Sequence, residues 1–200
     1  MITICEVLLL TATQNLPRRD HRENEESTNR GNFLEILNLV ASHDEIVQKR
    51  LTEGPQNAKY THHSIQDALL NVMADMILHQ LKDEVIMSQY FGLICDETKD
   101  LSKAEQLSVV LRYMHDGLIH EEFIGMTCAE SVNAESLATY ITEKLKKVGV
   151  DIKACVGQSY DGANVMSGHV SGVQTRIQKL AQWAIYVRAL LCSQVKFSRC

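Results

Sequence analysis

The sequence predicts an α/β protein: a five-stranded mixed sheet preceded by an α-helical segment. Three observations predict it. Apolar positions between Phe33 and Met87 recur at three- and four-residue spacing. From Tyr90 onward short β-rich runs replace them, two of them joined by Asp116-Gly117, a two-residue hairpin signal. A single amphipathic helix then separates this hairpin from two further apolar runs, the alternation expected of a sheet with crossover connections.

The N-terminal MITICEVLLLTA is apolar but contains Glu6, lacks a positively charged leader and is far too short to span a bilayer, so it reads as the edge of a helix. Leu16 to Gly31 carries Pro17 and dense mixed charge, the signature of an exposed connector. Phe33, Ile36, Leu37 and Val40 mark the next helix. Ser42, followed three residues later by Glu45, predicts a capping box for a helix stopped by Gly54-Pro55. A third helix is expected from Ser64, with Asp67 at the third position. Its stripe of Leu69, Val72, Met73, Met76, Ile77, Leu81 and Val85 runs to about Met87 and is read as core-facing.

Tyr90–Cys95 reads as a strand that ends abruptly in Asp96 and Glu97, with Asp100 four residues past Asp96. Gln106–Met114 and Leu118–Thr127 are the arms of the hairpin. Asn133 caps a helix carrying Leu137, Tyr140, Ile141 and Leu145 on one face, with Lys144, Lys146 and Lys147 near its end and Gly149 closing it. Ile152–Gly157 is the fourth strand and leads to Asp161; Val170–Leu180 is a helix, and Ala184–Val187 begins the fifth strand. The segments are thus 1–31, helix edge and connector; 32–89, helical; 90–187, the sheet domain; and 188–200, a divergent tail.

In a meander, strands one and three run the same way, so a crossover from strand three can return strand four parallel to strand one on its free side. Asp96 and Asp161 would then lie at adjacent strand tips. Two such carboxylates repel unless a cation lies between them, and oxygen-only ligands favour Mg2+ or Mn2+. A pair of this kind is half of a two-metal phosphoryl-transfer site, against which stands the ordinary occurrence of acids in turns. Glu97 is expected on the opposite face, while Asp100 could turn inward.

Other chemistries fail on particular residues. The 157–162 stretch has phosphate-loop glycine spacing, but Ala163-Asn164 stand where Lys-Ser/Thr is required. Ser159 is a near miss for a nucleophile elbow, with Asp161 where glycine is needed and only His169 following. His62-His63 are adjacent and face different ways, as helix-entry residues. The net charge of −5 argues against nucleic-acid binding through bulk positive charge. Six cysteines without a C-x-x-C pair give no zinc spacing and suit a reducing compartment.

The stretches HRENEESTNRGNFLEIL, NAKYTHHSIQDALLNVMADMI, YFGLICDETKDLSKAEQLSVVLRYM, GLIHEEFIGM and VGQSYDGANVMSGHVSGVQTRI resemble hAT-superfamily transposase-derived proteins. The likeness is to the animal lineage related to MYM-type zinc finger proteins and THAP-type repressors, and it covers about Leu8 to Val187. The resemblance implies an RNase H-like core, here truncated, with a D-D-E metal site. Asp96 matches its first aspartate and Asp161 its second. Its glutamate lies far downstream, so the expectation is a catalytically incomplete, non-enzymatic remnant or domesticated protein- or DNA-interaction module, with Asp96 and Asp161 vestigial.

The alternative is a metal-dependent DNA transposase or nuclease fragment using Asp96 and Asp161 with Mg2+ or Mn2+. The expected partners are DNA or protein, including further copies of the chain, with no membrane and no small-molecule substrate. The resemblance implies a nuclear location, with the cytoplasm as alternative. It also implies that Met1 lies inside a longer ancestral chain, and that RALLCSQVKFSRC, which departs from the family pattern, is a frameshift, alternative exon or decayed end.

Overall fold

The first helix, α1 (Ile2–Thr13), buries Ile4, Val7, Leu8 and Thr11, and Thr11 satisfies its hydroxyl by donating to the Leu8 carbonyl at 2.8 Å. The apolar stretch expected as a helix edge is therefore three turns of packed helix. Its partners are Phe33 and Leu37 of α2 (Asn32–Ala41), with Val47 and Leu51 of α3 (Glu45–Thr52) and Leu69 and Leu70 of α4 (His63–Ser88) at the margin. The computed structural model describes residues 1–19, 29–55, 58–99, 105–128, 133–160 and 163–188. The chain divides into two compact units, whose described parts lie within Met1–Asp75 and Met76–Lys196.

Two helix starts differ from the expected capping. Asp44, not Ser42, caps α3: its carboxylate accepts from the amides of Ile46 and Val47. Ser42 instead closes α2, donating to the Leu39 carbonyl at 2.7 Å. An ionised oxygen two residues nearer the orphan amides outcompetes the hydroxyl. At α4, His62 Nδ1 contacts the Ser64 hydroxyl and accepts the Ser64 amide, and Asp67 is engaged by Arg18 and Arg19 rather than by a cap.

The core-facing reading of the α4 stripe is corrected. Leu81 and Val85 are buried, yet Val72, Met76, Ile77 and Met87 are exposed. The helix carries apolar residues on more than one face, so the spacing chosen from sequence crosses from the packed side to the solvent side.

The second unit is built on β1 (Phe91–Lys99), β2 (Glu105–His115), β3 (Leu118–Cys128), β4 (Cys155–Tyr160) and β5 (Ile185–Arg188), in the order β3-β2-β1-β4-β5. The β1–β2–β3 meander is antiparallel, and β4 and β5 run parallel to β1. Asp116 (φ 48) and Gly117 (φ 75) make the hairpin turn, both in the left-handed region that a two-residue loop of this twist requires. Opposite Val109 and Val110, Ile124 is an extra residue on β3, and Gly125 (φ 140) beside it supplies the backbone of the bulge.

All the helices that contribute to the sheet core lie on one face. From α5 (Ala134–Val148) come Leu137, Ile141 and Leu145; from α7 (Val173–Leu180) Val173 and Ile177; from α4 Leu81 and Val85. They cover Phe91, Leu93, Cys95, Leu107, Val109, Leu111, Tyr113, Cys155 and Tyr160. As expected, Asn133 caps α5, accepting from the Ser136 amide, and Gly149 closes it.

Element limits shift at three places near the site. β1 continues to Lys99, so Asp96 lies within the antiparallel ladder opposite Ser108 rather than beyond the strand. Residues Ile152–Ala154 form a 3-10 turn, capped by Asp151 on the Lys153 amide, and β4 starts only at Cys155. A short helix, α6 (Asn164–Ser167), precedes α7, which begins at Val173 rather than Val170. Asp151 explains the second shift, because its side chain turns the backbone away from the ladder.

Candidate functional site

Strand alternation and register decide what surrounds Asp96. Phe91, Leu93 and Cys95 point to the helix-covered face, and Gly92, Ile94 and Asp96 to the other. Register extends that second face across the whole sheet. Ile94 pairs with Ser159 on one side and Val110 on the other, Ser159 with Val187, and Val110 with Phe123. One step toward the strand starts, Gly92 joins Gly157 and Ile185 on one side and Arg112 and Glu121 on the other.

No described helix contributes to this open face. Met114 (63% exposed), Ile119 (64%), Ile185 (68%) and Val187 (60%) stand on it, with Phe123 and Met126 less exposed. Its one arginine in the ladder, Arg112, is already paired with Glu121 at 2.6 Å.

Asp96 is half-buried at the upper end of this face, and the Ser108 hydroxyl donates to its backbone carbonyl at 3.1 Å. It sits where the two ladders of β1 part company: pairing with β4 ends at Ile94–Ser159, and pairing with β2 continues to Lys99. Glu97 falls on the opposite face beside Cys95, as alternation requires. Asp161 and Asp100 lie outside the described residues. Among the described residues, no three His, Cys, Asp or Glu side chains converge as a metal site.

The chain leading to position 161 is held by buried polar groups that sequence reasoning passed over. Gln158 donates through Nε2 to the carbonyls of Gln174 (3.1 Å) and Ala184 (2.9 Å), and its Oε1 accepts from the Tyr160 hydroxyl at 3.0 Å. Gln174 donates in turn to the Ser167 carbonyl and contacts His169 Nδ1. One side chain of β4 thus joins α7 and the start of β5, and its neighbour Gln174 holds α6. The available signal was a glutamine and a tyrosine at alternate positions of an otherwise apolar strand run.

Burial pushes the Tyr160 hydroxyl well up and the Cys155 thiol up to about 11. Both stay protonated and belong to the core, as does Cys95. Ser159 lies mid-ladder between Ile94 and Val187, not on a sharp turn, and His169 is engaged with Gln174. At the hairpin end, the Tyr113 hydroxyl donates to Glu84 at 2.7 Å, and its ring stacks on His120 with centroids 5.3 Å apart.

A three-strand meander followed by two parallel strands, with a helix crossover between β3 and β4, defines an RNase-like α/β domain. Residues 1–172 match the family described as "DUF4371: ZMYM1/FAM200, RNase-like domain", and the chain belongs to that family. The membership places it in the domesticated, transposase-derived lineage that its motifs resemble. The "52 kDa repressor of the inhibitor of the protein kinase" of Mus musculus and that of Homo sapiens are each 28% identical to it over 96% of the chain. The chain spans 26% of the length of these relatives.

Among solved structures, YeaZ from Pseudomonas aeruginosa aligns with 50% of the chain and 43% of its own, at 18% identity and a TM-score of 0.30, too low to bear on fold or function. Among the described residues no helix is long and apolar enough to cross a membrane.

Proposed function

We propose that this RNase-like domain acts by binding rather than by cutting, as a transposase-derived module whose open sheet face docks protein. The observation that supports this is the chemistry around Asp96. A nucleic-acid substrate approaching a metal at Asp96 would meet exposed Met114, Ile119, Phe123 and Val187, and an arginine already paired with Glu121. Phosphate recognition calls for free cations, whereas apolar residues rimmed by polar ones suit a protein surface.

The register supports a second reading. Asp96 follows Ile94 by two residues, and Asp161 follows Ser159, the partner of Ile94, also by two. Together they would offer oxygen-only ligands suited to Mg2+ or Mn2+, which when bound supplies Lewis-acid activation of water. The described residues contribute only Asp96 to such a site, so the fit is partial.

The test is the full chain with plasmid DNA in Mg2+ and in Mn2+. The binding reading expects no cleavage, and DNA retention that is weak and falls steeply with salt, as the net charge of −5 implies. Metal-dependent nicking abolished by Asp96→Asn and by Asp161→Asn would establish the second reading instead. A repressor among the relatives supports a nuclear location, with the cytoplasm as alternative; imaging of a tagged chain decides between them.

A further inference from the structure

The sheet ends on β3, and among the described residues no strand pairs with its outer side. An edge of this kind is a template for a further strand, and proteins often blunt it with a proline or a bulge. In β3 the bulge at Ile124 and Gly125 comes late. Between the hairpin turn and that bulge, Leu118 to Phe123 run in unbroken register and contain no proline.

Alternation decides which backbone groups of this stretch face outward. The two-residue turn closes on the pair His115–Leu118, and hydrogen-bonded and non-bonded pairs alternate along the ladder from there. The amides and carbonyls of His120 and Glu122 therefore turn toward β2. Those of Ile119, Glu121 and Phe123 point away from the sheet, a set symmetric about Glu121.

We propose that β3 pairs with β3 of a second copy of this chain, antiparallel about a twofold axis at Glu121, so that two sheets become one. Side chains select the copy and the register. On the open face, exposed Ile119 meets Phe123 of the second copy, and Phe123 meets its Ile119. On the other face His120 stands opposite Glu122 of the second copy, and Glu122 opposite its His120, donor against acceptor. The two Glu121 carboxylates meet on the axis, each already paired with its own Arg112 at 2.6 Å. Shifting the axis to His120 would set Ile119 against Glu121 and His120 against itself. Shifting it to Glu122 would set Phe123 against Glu121 and Glu122 against itself. The self-complementary register is the one a twofold interface requires.

The pairing uses the edge of the sheet and stands whether or not the open face docks another protein. Its test uses the full chain. Sedimentation across a micromolar concentration series should show a monomer–dimer equilibrium. Glu121→Pro, which removes an outward amide, and Phe123→Lys, which sets a charge against Ile119, should each shift it to monomer.

Register is read by oxidation and peptide mapping, which separates new disulfides from those of the native cysteines. Residues directly opposite in a bonded pair have Cα atoms about 5.5 Å apart, within reach of a disulfide. Glu121→Cys should therefore crosslink position 121 to itself. Ile119→Cys and Phe123→Cys, mixed, should crosslink to each other at severalfold the yield of either alone. Glu122→Cys, whose copies lie two residues out of register, should not crosslink to itself. A chain that stays monomeric throughout overturns the proposal, as does a dimer that both Glu121→Pro and Phe123→Lys leave intact. So does a dimer in which position 121 crosslinks to itself no better than position 122.

Discussion

Replacing Gln158 with methionine keeps the volume of a buried side chain and removes its hydrogen bonds. Three bonds are lost, those to the carbonyls of Gln174 and Ala184 and the one from the Tyr160 hydroxyl, around a residue only 2% exposed. Each lost bond costs about 1 kcal/mol net, and a buried orphan about 1–3 kcal/mol, so the substitution should cost about 3–5 kcal/mol. For a unit of this size that is a fall in Tm on the order of 10–20 °C. The assay is urea unfolding followed by Trp183, the only tryptophan in the chain and next to Ala184.

The sharper measurement is the cycle with Tyr160→Phe. Alone, that change orphans Gln158 Oε1 and should cost about 1–2 kcal/mol. In the Gln158→Met background it removes a hydroxyl that already lacks a partner, so the sign should reverse and about 1 kcal/mol should be regained. An equal cost in both backgrounds would falsify the network as the anchor of α7 and β5 on β4.

Three further outcomes are expected. Tyr113→Phe removes a hydrogen bond to a carboxylate and should cost about 1.5–3 kcal/mol at neutral pH. The Tyr113 hydroxyl, followed by Gln80, holds Glu84 below its ordinary value of 4.5. The stabilisation is therefore present above that pH and lost as pH falls below it, and acid titration of the Tyr113→Phe chain should show a shallower loss. Asp44→Ala should cost about 1 kcal/mol and speed amide exchange at Ile46 and Val47, whereas Ser42→Ala should leave both amides protected. Gly117→Ala meets nothing within 4 Å, so its cost of about 1 kcal/mol should come from φ alone, and Gly117→Asn should recover part of it by thermal melting.

Local chemistry made much of this chain legible from sequence. Asp116-Gly117 specified its hairpin because two left-handed residues in a row suit few other sequences, and Asn133 and Gly149 bounded α5 because orphan amides and carbonyls demand such residues. The apolar runs gave five strands, and the crossover argument placed the fourth beside the first, as the register has it. Where two local solutions competed, sequence chose less well. Ser42 and Asp44 both could cap α3, and the carboxylate won; Asp151 turned Ile152–Ala154 out of the strand they resembled.

Which face of an element is buried is a different kind of fact. The apolar residues of α4 surround more of the helix than one partner can cover, so only packing separates Leu81 and Val85 from Met76 and Ile77. The three bonds of Gln158 join strand to helix and helix to strand across 16 and 26 residues, and no local pattern announces them. The same holds for Asp96. Sequence alone identified the carboxylate and set Glu97 on the opposite face, because period-two alternation is a property of the strand itself. Tertiary structure alone showed that the helices of the sheet core gather on the opposite face, leaving Asp96 at the edge of an open apolar surface. That outcome depends on contacts summed over the whole sheet, which no single segment encodes.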